Sequence, residues 1–216
     1  MADIILFDLD GTLTDPKEGI TKSVRYGLEA LGYFEPDLDK LTPFIGPPLT
    51  ESYMEFYGLT KEEAEKAVEK YRERFRIKGM YENEIYDGIR EMLIKLRKAG
   101  KRLGVATSKP WVFAEPILEY FHIKECFEHI VGSELNGKRV RKGDVIKEAL
   151  NRFQIKDRRN VLMVGDRKHD IFGAKEAGIF SVGVTYGFGG RKELTEAGAD
   201  YIVETVGELT EFLLKV

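Results

Sequence analysis

The chain has 216 residues, of which 43% are hydrophobic and 33% charged, enough for one sizeable core or a core domain with a small second domain. Its formal net charge of −3 does not indicate a surface for polyanions, so nucleic acid is excluded as an expected partner. A single cysteine, Cys126, excludes an intramolecular disulfide, and no apolar run reaches the roughly 18 residues of a membrane span. We therefore expect a cytoplasmic protein without a membrane partner, either a monomer or a homodimer.

Short apolar runs predict β-strands, and helical patterns lie between them. Alternating strands and helices predict an α/β fold, a parallel sheet with helices on both faces. In such a sheet, ligands bind beyond the carboxyl ends of the strands. The predicted strands are Ile4–Phe7, Leu103–Thr107, His129–Gly132, Val161–Val164, Ser181–Val184 and Tyr201–Val203.

One region interrupts this alternation, because residues 15 to about 84 contain helical patterns and no convincing strand. Thr60 and Glu63 predict a capping box at the start of one of these helices. The region is inserted directly after the first strand, so we expect a helical module that covers a site at the strand tip and moves as a lid. A packed appendage without a gating role remains the alternative.

Aspartates stand at the ends of two predicted strands. Asp8 and Asp10 follow the first strand, Asp166 follows Val161–Val164, and Asp170 comes four residues later. If the two strands are neighbours, the four carboxylates converge and repel one another. A hard cation such as Mg²⁺ relieves that repulsion, and it prefers a few carboxylates together with water and phosphate. Helix N-capping explains any single one of these aspartates, but it does not readily explain all four.

Two further segments offer partners for a phosphate group. Thr107, Ser108 and Lys109 come at the end of the second strand, where hydroxyl and backbone N–H groups can hold a phosphate oxygen. An ordinary N-cap is an equal alternative there. A basic run precedes another predicted helix, and one of its cations could balance aspartyl and phosphoryl charge, while a solvated turn explains the others. This run contains Lys138, Arg139, Arg141 and Lys142.

Two glycine-containing segments look like nucleotide-binding loops but do not qualify. The segment "GSELNGK", from Gly132 to Lys138, has Arg139 where a phosphate-binding loop needs Ser or Thr, and its Asn-Gly pair indicates a tight turn. The segment "GVTYGFGG", from Gly183 to Gly190, does not fit the dinucleotide fingerprint. It predicts a mobile loop near the rim of the site.

Taken together, the motifs resemble those of the haloacid dehalogenase superfamily of phosphotransferases. They are "DLDGT" at Asp8–Thr12, "VATSK" ending in Lys109, a lysine before a helix, and "GDRKHD" at Gly165–Asp170, in that order. The resemblance implies a Rossmann-like α/β core formed by residues 1–14 and 88–216. It also implies that residues 15–87 form an α-helical cap of the C1 type.

The resemblance further implies a role for each motif residue. Asp8 would be the nucleophile that forms an aspartyl-phosphate, and Asp10 the general acid and base. Mg²⁺ would be the cofactor, held by Asp8, the backbone carbonyl of Asp10 and Asp166, with Asp170 as a ligand or a support. Lys142 is our choice for the cation of the third motif, with Arg141 or Lys138 as alternatives. The phosphoryl group would be bound by Gly11, Thr107, Ser108 and Lys142.

Asp10, the second aspartate of the first motif, restricts the class of reaction that the resemblance implies. Family members that pump ions carry Thr at the position of Asp10, and haloacid dehalogenases also lack this Asp, so Asp10 favours a phosphatase or a phosphomutase. The segment Thr42–Tyr53 resembles the cap of phosphoglycolate-phosphatase-like proteins, and "GSELNGKRVRK" resembles bacterial nucleotidase-type members. We expect a small phosphomonoester as substrate, either phosphoglycolate or a nucleoside monophosphate. A β-phosphoglucomutase-type enzyme and a non-enzymatic binding protein on the same fold remain the alternatives.

Overall fold

The computed structural model describes residues 3–155 and 157–216. The chain forms two compact units: the larger consists of Met1–Asp15 and Ile85–Val216, and the smaller of Pro16–Glu84. The strands are β1 (Ile4–Phe7), β2 (Thr14–Asp15), β3 (Glu84–Ile85), β4 (Arg102–Pro110), β5 (His129–Ser133), β6 (Val161–Gly165), β7 (Phe180–Val184) and β8 (Tyr201–Val203). The α-helices are α1 (Lys17–Glu29), α2 (Leu49–Tyr57), α3 (Lys61–Arg74), α4 (Ile89–Lys98), α5 (Trp111–Tyr120), α6 (Lys142–Arg152), α7 (Lys168–Ala177), α8 (Gly190–Ala197) and α9 (Val206–Lys215).

The larger unit contains a six-stranded parallel sheet with the strand order β5-β4-β1-β6-β7-β8. β1 lies in the middle, and its last residue, Phe7, is paired with Val105 of β4 on one side and Val164 of β6 on the other. All four residues of β1 are buried because helices cover the sheet, which is why this strand is a continuous apolar run. The predicted α/β fold with a parallel sheet is confirmed, and the strands that carry the aspartates are neighbours.

Helices α6 and α7 pack against each other, and their apolar faces contribute to one core with residues of β1, β4, β5 and β6. In α6, the buried positions Val145, Ile146, Ala149 and Leu150 recur at helical spacing, as the sequence predicts. The packing brings the N-terminal ends of α6 and α7 to the carboxyl edge of the sheet, where Lys142 and Asp170 lie. The N-terminal ends of these helices thus place Lys142 and Asp170 at the tip of β1.

The smaller unit is helical and packs through close backbone contacts. A Cβ on Gly27 of α1 would lie 2.6 Å from the carbonyl oxygen of Ala67 in α3, so a larger side chain would push the two helices apart. The predicted capping box at the start of α3 is confirmed: Thr60 Oγ1 accepts a hydrogen bond from the Glu63 N–H at 3.3 Å, and Glu63 Oε2 accepts one from the Thr60 N–H at 2.8 Å.

Two-residue strands, β2 and β3, lie at the points where the helical insertion begins and ends, and they pair with each other. The sequence did not predict them because two residues are too short to leave a periodic pattern.

Among the residues that the structure describes, no helix is both long and apolar enough to cross a membrane.

Candidate active site

Asp8 and Asp10 lie in a tight turn that follows β1. The Asp8 N–H still bonds to the Val164 carbonyl of β6 at 2.9 Å, and the chain then turns around the Leu9 carbonyl, which accepts three backbone N–H groups. Gly11 has φ +80°, and a Cβ there would lie 2.2 Å from Asp166 Oδ2. Both its conformation and this contact require glycine, so the turn can press directly against Asp166.

Asp166 and Asp170 are held at the ends of β6 and the start of α7. Asp166 is fully buried, and its Oδ2 accepts a hydrogen bond from the Phe188 N–H at 2.8 Å. Asp170 Oδ2 accepts one from the Arg167 N–H at 3.0 Å and so caps the first turn of α7. N-capping, the alternative considered for single aspartates, therefore applies to Asp170 and leaves its other oxygen turned toward the site.

Lys142 is the cation at this carboxylate group. Its Nζ lies 2.8 Å from Asp8 Oδ1 and 2.7 Å from Asp170 Oδ1, and it donates a hydrogen bond to the Ala106 carbonyl at 3.1 Å. The other candidates for this position lie elsewhere: Arg141 is exposed and pairs with a glutamate of α7, and Lys138 is exposed in the preceding turn. Burial alone would lower the pKa of Lys142, but the charges of Asp170 and Asp8 raise it above its ordinary value.

More carboxylates lie at this site than the single charge of Lys142 can neutralise. One carboxylate oxygen from each of Asp8, Asp166 and Asp170 can be chosen so that all three lie within 4.8 Å of one another, and all three side chains are buried. Burial and the charges of Asp170 and Asp8 hold the pKa of Asp166 well above its usual range. Burial also raises the pKa of Asp170 to about 6, with Lys142 opposing and Asp8 adding to the rise. Three hard oxygen donors with surplus negative charge are a donor set that suits Mg²⁺.

Asp10 does not belong to this side-chain cluster. Its Oδ2 pairs with Lys109 Nζ at 2.9 Å, whereas its Oδ1 is buried and has no hydrogen-bond partner in the described part of the chain. The sequence placed Lys109 in the phosphate segment without giving it this partner.

Thr107 and Ser108 lie at the end of β4, next to β1. Thr107 comes two residues after Val105, the partner of Phe7, and is almost fully buried, with its Oγ1 accepting a hydrogen bond from the Lys109 N–H at 3.2 Å. Ser108 is half-buried, and its carbonyl accepts a hydrogen bond from the Ser133 hydroxyl at 2.7 Å. The predicted phosphate-binding residues and Lys109 therefore share one short segment of backbone.

The glycine-rich segment after β7, expected at the rim, instead packs on Asp166. A Cβ on Gly187 would lie 2.3 Å from the Gly11 carbonyl oxygen, and one on Gly189 would lie 2.1 Å from the Asp166 carbonyl oxygen. The Phe188 N–H between these glycines donates to the Asp166 carboxylate. The absence of side chains at these glycines permits this close approach of two backbones. The other glycine segment does form the predicted turn, with Gly137 at φ +82°.

A family model described as haloacid dehalogenase-like hydrolase matches residues 5–184, most of the chain and every strand that borders the site. The chain belongs to the haloacid dehalogenase-like hydrolase family. The resemblance predicted from the motifs is thereby confirmed.

Relatives of this haloacid dehalogenase-like chain have been named by activity. The 5′-nucleotidase of Pseudomonas aeruginosa is 50% identical over 190 residues, which cover 88% of this chain and 86% of that protein. The tyrosine-protein kinase PtkA of Mycobacterium tuberculosis is 40% identical over 212 residues, 97% of this chain and 72% of that protein. The phosphoglycolate phosphatase of Colwellia psychrerythraea is 29% identical over 215 residues, 96% of this chain and 95% of that protein.

Among solved structures, the crystal structure of a predicted phosphatase from Clostridium acetobutylicum is 48% identical, covers 100% of both chains and superposes with a TM-score of 0.96. Together with the family and the relatives named 5′-nucleotidase and phosphoglycolate phosphatase, it identifies this chain as a hydrolase of the phosphatase class. The predicted enzyme class is confirmed, and the alternative of a non-enzymatic binding protein is set aside.

Proposed function

We propose that the chain is a Mg²⁺-dependent phosphomonoester hydrolase that works through an aspartyl-phosphate on Asp8. The observation that carries the proposal is the arrangement at the tip of β1: Asp8 pairs with Lys142 and clusters with the carboxylates of Asp166 and Asp170, and Asp10 follows two residues further on. A phosphatase that uses a carboxylate nucleophile needs an acid with a cation beside it and a second acid that can transfer protons.

Asp8 and Asp10 divide the chemistry between them. A carboxylate oxygen of Asp8 attacks phosphorus and forms the new P–O bond, while the bond from phosphorus to the substrate oxygen breaks. Asp10, protonated at this stage, gives its proton to the leaving oxygen, so that the alcohol departs neutral. Asp10 then takes a proton from water as that water attacks the phosphoryl group, which releases inorganic phosphate and restores the Asp8 carboxylate.

The residues present fit a Mg²⁺ ion. Asp8, Asp166 and the backbone carbonyl of Asp10 would hold it, and Asp170 would act as a support, since one of its oxygens pairs with Lys142 and the other accepts the Arg167 N–H. The bound ion would neutralise charge as two anions approach each other.

The remaining site residues would bind the transferred phosphoryl group. Lys142 supplies a buried positive charge next to the nucleophile. The hydroxyls of Thr107 and Ser108 are donors of the kind that hold phosphoryl oxygens. The Gly11 N–H, in contrast, already donates to the Thr14 carbonyl at 2.8 Å.

For the substrate, we propose a small phosphorylated metabolite of the phosphoglycolate or nucleoside monophosphate class. The names of two relatives, a 5′-nucleotidase and a phosphoglycolate phosphatase, support these two classes. The helical insertion begins at Pro16, a few residues after Asp10 in sequence, and the chain returns to the core unit at Ile85. We propose that residues 15–87 act as a cap that selects the substrate. We propose the cytoplasm as the location of the reaction, without nucleic acid or membrane partners, and a monomer or homodimer as the active form.

The test is a phosphate-release screen with phosphoglycolate, nucleoside monophosphates, sugar phosphates and an aryl phosphate. We expect activity that disappears in EDTA and returns with Mg²⁺, and that is lost in Asp8→Asn. The matched control is Asp157→Asn, which changes an exposed aspartate paired with Arg159 and should retain activity. An Asp8→Asn protein that still releases phosphate from the aryl ester would refute the mechanism.

Two further assays test for phosphomutase and kinase activity. A hexose phosphate with a bisphosphate activator tests the β-phosphoglucomutase alternative, which would show a phosphoenzyme that transfers to sugar in preference to water. Sequence similarity to PtkA favours a second candidate, phosphoryl transfer to tyrosine. A nucleoside triphosphate with a tyrosine-containing peptide tests it, and phosphotyrosine formation that exceeds phosphate release would support it.

A further inference from the structure

Two different lysines form ion pairs with the acids of the site. Lys142 contacts Asp8 and Asp170, whereas Lys109 contacts Asp10 at 2.9 Å. The Lys109 and Asp10 side chains are 5% and 11% exposed, so water screens their pairing only weakly. Asp10 thus has a cation of its own, distinct from the cation beside the nucleophile.

The pairing makes the two oxygens of Asp10 unequal. Oδ2 faces the Lys109 ammonium, which carries only hydrogen-bond donors and so cannot accept a proton from that oxygen. Oδ1 is buried and has no hydrogen-bond partner among the residues the structure describes. A buried carboxylate oxygen without a partner is unfavourable unless another group arrives to bond with it. Oδ1 is therefore the oxygen available to a substrate or a water molecule.

The backbone of Lys109 is fixed on several sides. The register of β4 against β5 shifts between Ala106 and Pro110, so the segment between them departs from regular strand. Within it, the Lys109 N–H bonds to Thr107 Oγ1, and a Cβ on Gly132 of β5 would lie 2.4 Å from the Lys109 carbonyl oxygen. The segment is thus packed directly on the neighbouring strand, and such a support holds a side chain in one geometry.

From these contacts we infer that Lys109 is a positioning residue for Asp10. It holds Oδ2 so that Oδ1 points at the reacting oxygens, to give a proton to the leaving alcohol and then take one from the attacking water. The inference rests on the proposed role of Asp10 as general acid and base. It assigns to Lys109 no direct contact with the phosphoryl group, which distinguishes Lys109 from Lys142.

The role can be tested with esters that differ in their need for a proton. The nitrophenolate of p-nitrophenyl phosphate leaves without protonation, whereas the alkoxide of an alkyl phosphate such as glycerol 2-phosphate requires it. The quantity to compare is kcat/KM with saturating Mg²⁺, because it covers the steps up to alcohol release and excludes hydrolysis of the phosphoenzyme. The proteins are wild type, Lys109→Met, Lys109→Gln, Lys109→Arg, Asp10→Asn and the Asp10→Asn/Lys109→Met double variant.

We expect Lys109→Met to lower kcat/KM about 100-fold for the alkyl ester and less than about 3-fold for the aryl ester, since general acid catalysis contributes roughly 10² to 10⁴. Asp10→Asn should show the same selective loss, and the double variant should be no slower than Asp10→Asn, because both changes remove one function. Lys109→Arg should recover part of the alkyl activity, as it retains the charge with a different geometry.

Several outcomes would overturn the inference. Equal losses for both esters in Lys109→Met would indicate phosphate binding or a general structural role, and so would losses in the double variant that multiply. Thermal unfolding of each variant identifies loss of folded protein, and Lys109→Gln, which retains a hydrogen-bond donor, provides the same comparison if Lys109→Met does not fold. Wild-type protein that hydrolyses neither ester would refute the proposed mechanism as a whole, whereas equal losses refute only the role of Lys109.

Discussion

Replacing Asp166 by Asn should make the metal-free protein more stable while weakening its response to Mg²⁺. Asp166 has buried acidic neighbours within 4.8 Å, Asp8 and Asp170. Its contact with the Phe188 N–H uses an oxygen that an asparagine amide also provides. The substitution therefore removes charge from the cluster and keeps the shape and the hydrogen bond.

The expected change in the free energy of unfolding follows from the charge repulsion at Asp166 and from the upper limit that protonation of this acid places on its cost. At 4.8 Å, two like charges repel by about 3.5 kcal/mol at an effective dielectric of about 20, and Lys142 offsets part of this. The pKa of Asp166 is raised above 3.8 on folding, so ionisation destabilises the folded state as pH rises past that value. At pH 7 the cost is limited to about 4 kcal/mol, because a larger one would leave the acid protonated.

We therefore expect Asp166→Asn to raise the free energy of unfolding in EDTA at pH 7 by about 1 to 4 kcal/mol, which corresponds to roughly 2–4 °C in Tm per kcal/mol. Thermal and urea unfolding with and without Mg²⁺ measure both effects. Wild type should gain about 2.7 kcal/mol at a Mg²⁺ concentration near 100 Kd, and the variant should gain much less at that concentration. Asp157→Asn is the control, and its unfolding transition should match that of wild type with and without Mg²⁺. The reasoning is refuted if Asp166→Asn is less stable than wild type in EDTA, or if Mg²⁺ stabilises both equally.

Three more predictions concern the same region. Gly187→Ala should weaken Mg²⁺ binding at least several-fold in calorimetry, since its Cβ would lie 2.3 Å from the Gly11 carbonyl oxygen, while Gly207→Ala, with ordinary contacts, should match wild type. Lys142→Met should lower the free energy of unfolding in urea by about 3–5 kcal/mol, because buried carboxylates lose their cation; a loss below 1 kcal/mol would contradict this. In EDTA, the stability of Asp170→Asn relative to wild type should rise by up to about 3 kcal/mol between about pH 4 and pH 7, since the Asp170 pKa is raised from 3.8 to about 6; a decline would show the sign to be wrong.

The sequence predicted most of the fold because its strands are short, buried and apolar. Ile4–Phe7 and Val161–Val164 stand out for this reason. From the sequence, their adjacency was only the condition for their aspartates to converge, and the structure pairs the two strands. Strands β2 and β3 escaped prediction because a two-residue pair is held by its neighbours in space and carries no pattern of its own.

The site was predictable where the chemistry depends on residue type and spacing. Of the four carboxylates expected to converge, Asp8, Asp166 and Asp170 come together, whereas the Asp10 side chain pairs with Lys109. Lys142, chosen over Arg141, lies beside Asp8. What the sequence could not supply was which cation pairs with which acid. Lys109, which pairs with Asp10, lies where the register of β4 against β5 shifts, and residues close in sequence give no sign of that shift.

The packing of the glycine-rich segment on Asp166 was also beyond the sequence reading. Glycines in a loop are compatible with mobility and with close packing, and the choice depends on what lies opposite them. Here the Gly11 turn and Asp166 lie opposite Gly187, so the absence of a side chain permits contact between backbones.

The central claim is that Asp8 becomes phosphorylated, and trapping the phosphoenzyme tests it most directly. Asp10→Asn protein, in which we expect slow hydrolysis of the intermediate, is mixed with Mg²⁺ and an aryl phosphate, quenched in acid and reduced with borohydride, which converts an acyl phosphate to an alcohol. We predict that peptide mass spectrometry finds homoserine at position 8 and at no other aspartate, in an amount that falls to background when EDTA replaces Mg²⁺. Full release of nitrophenol without any conversion at position 8, or conversion at Asp166 or Asp170 instead, would contradict the account.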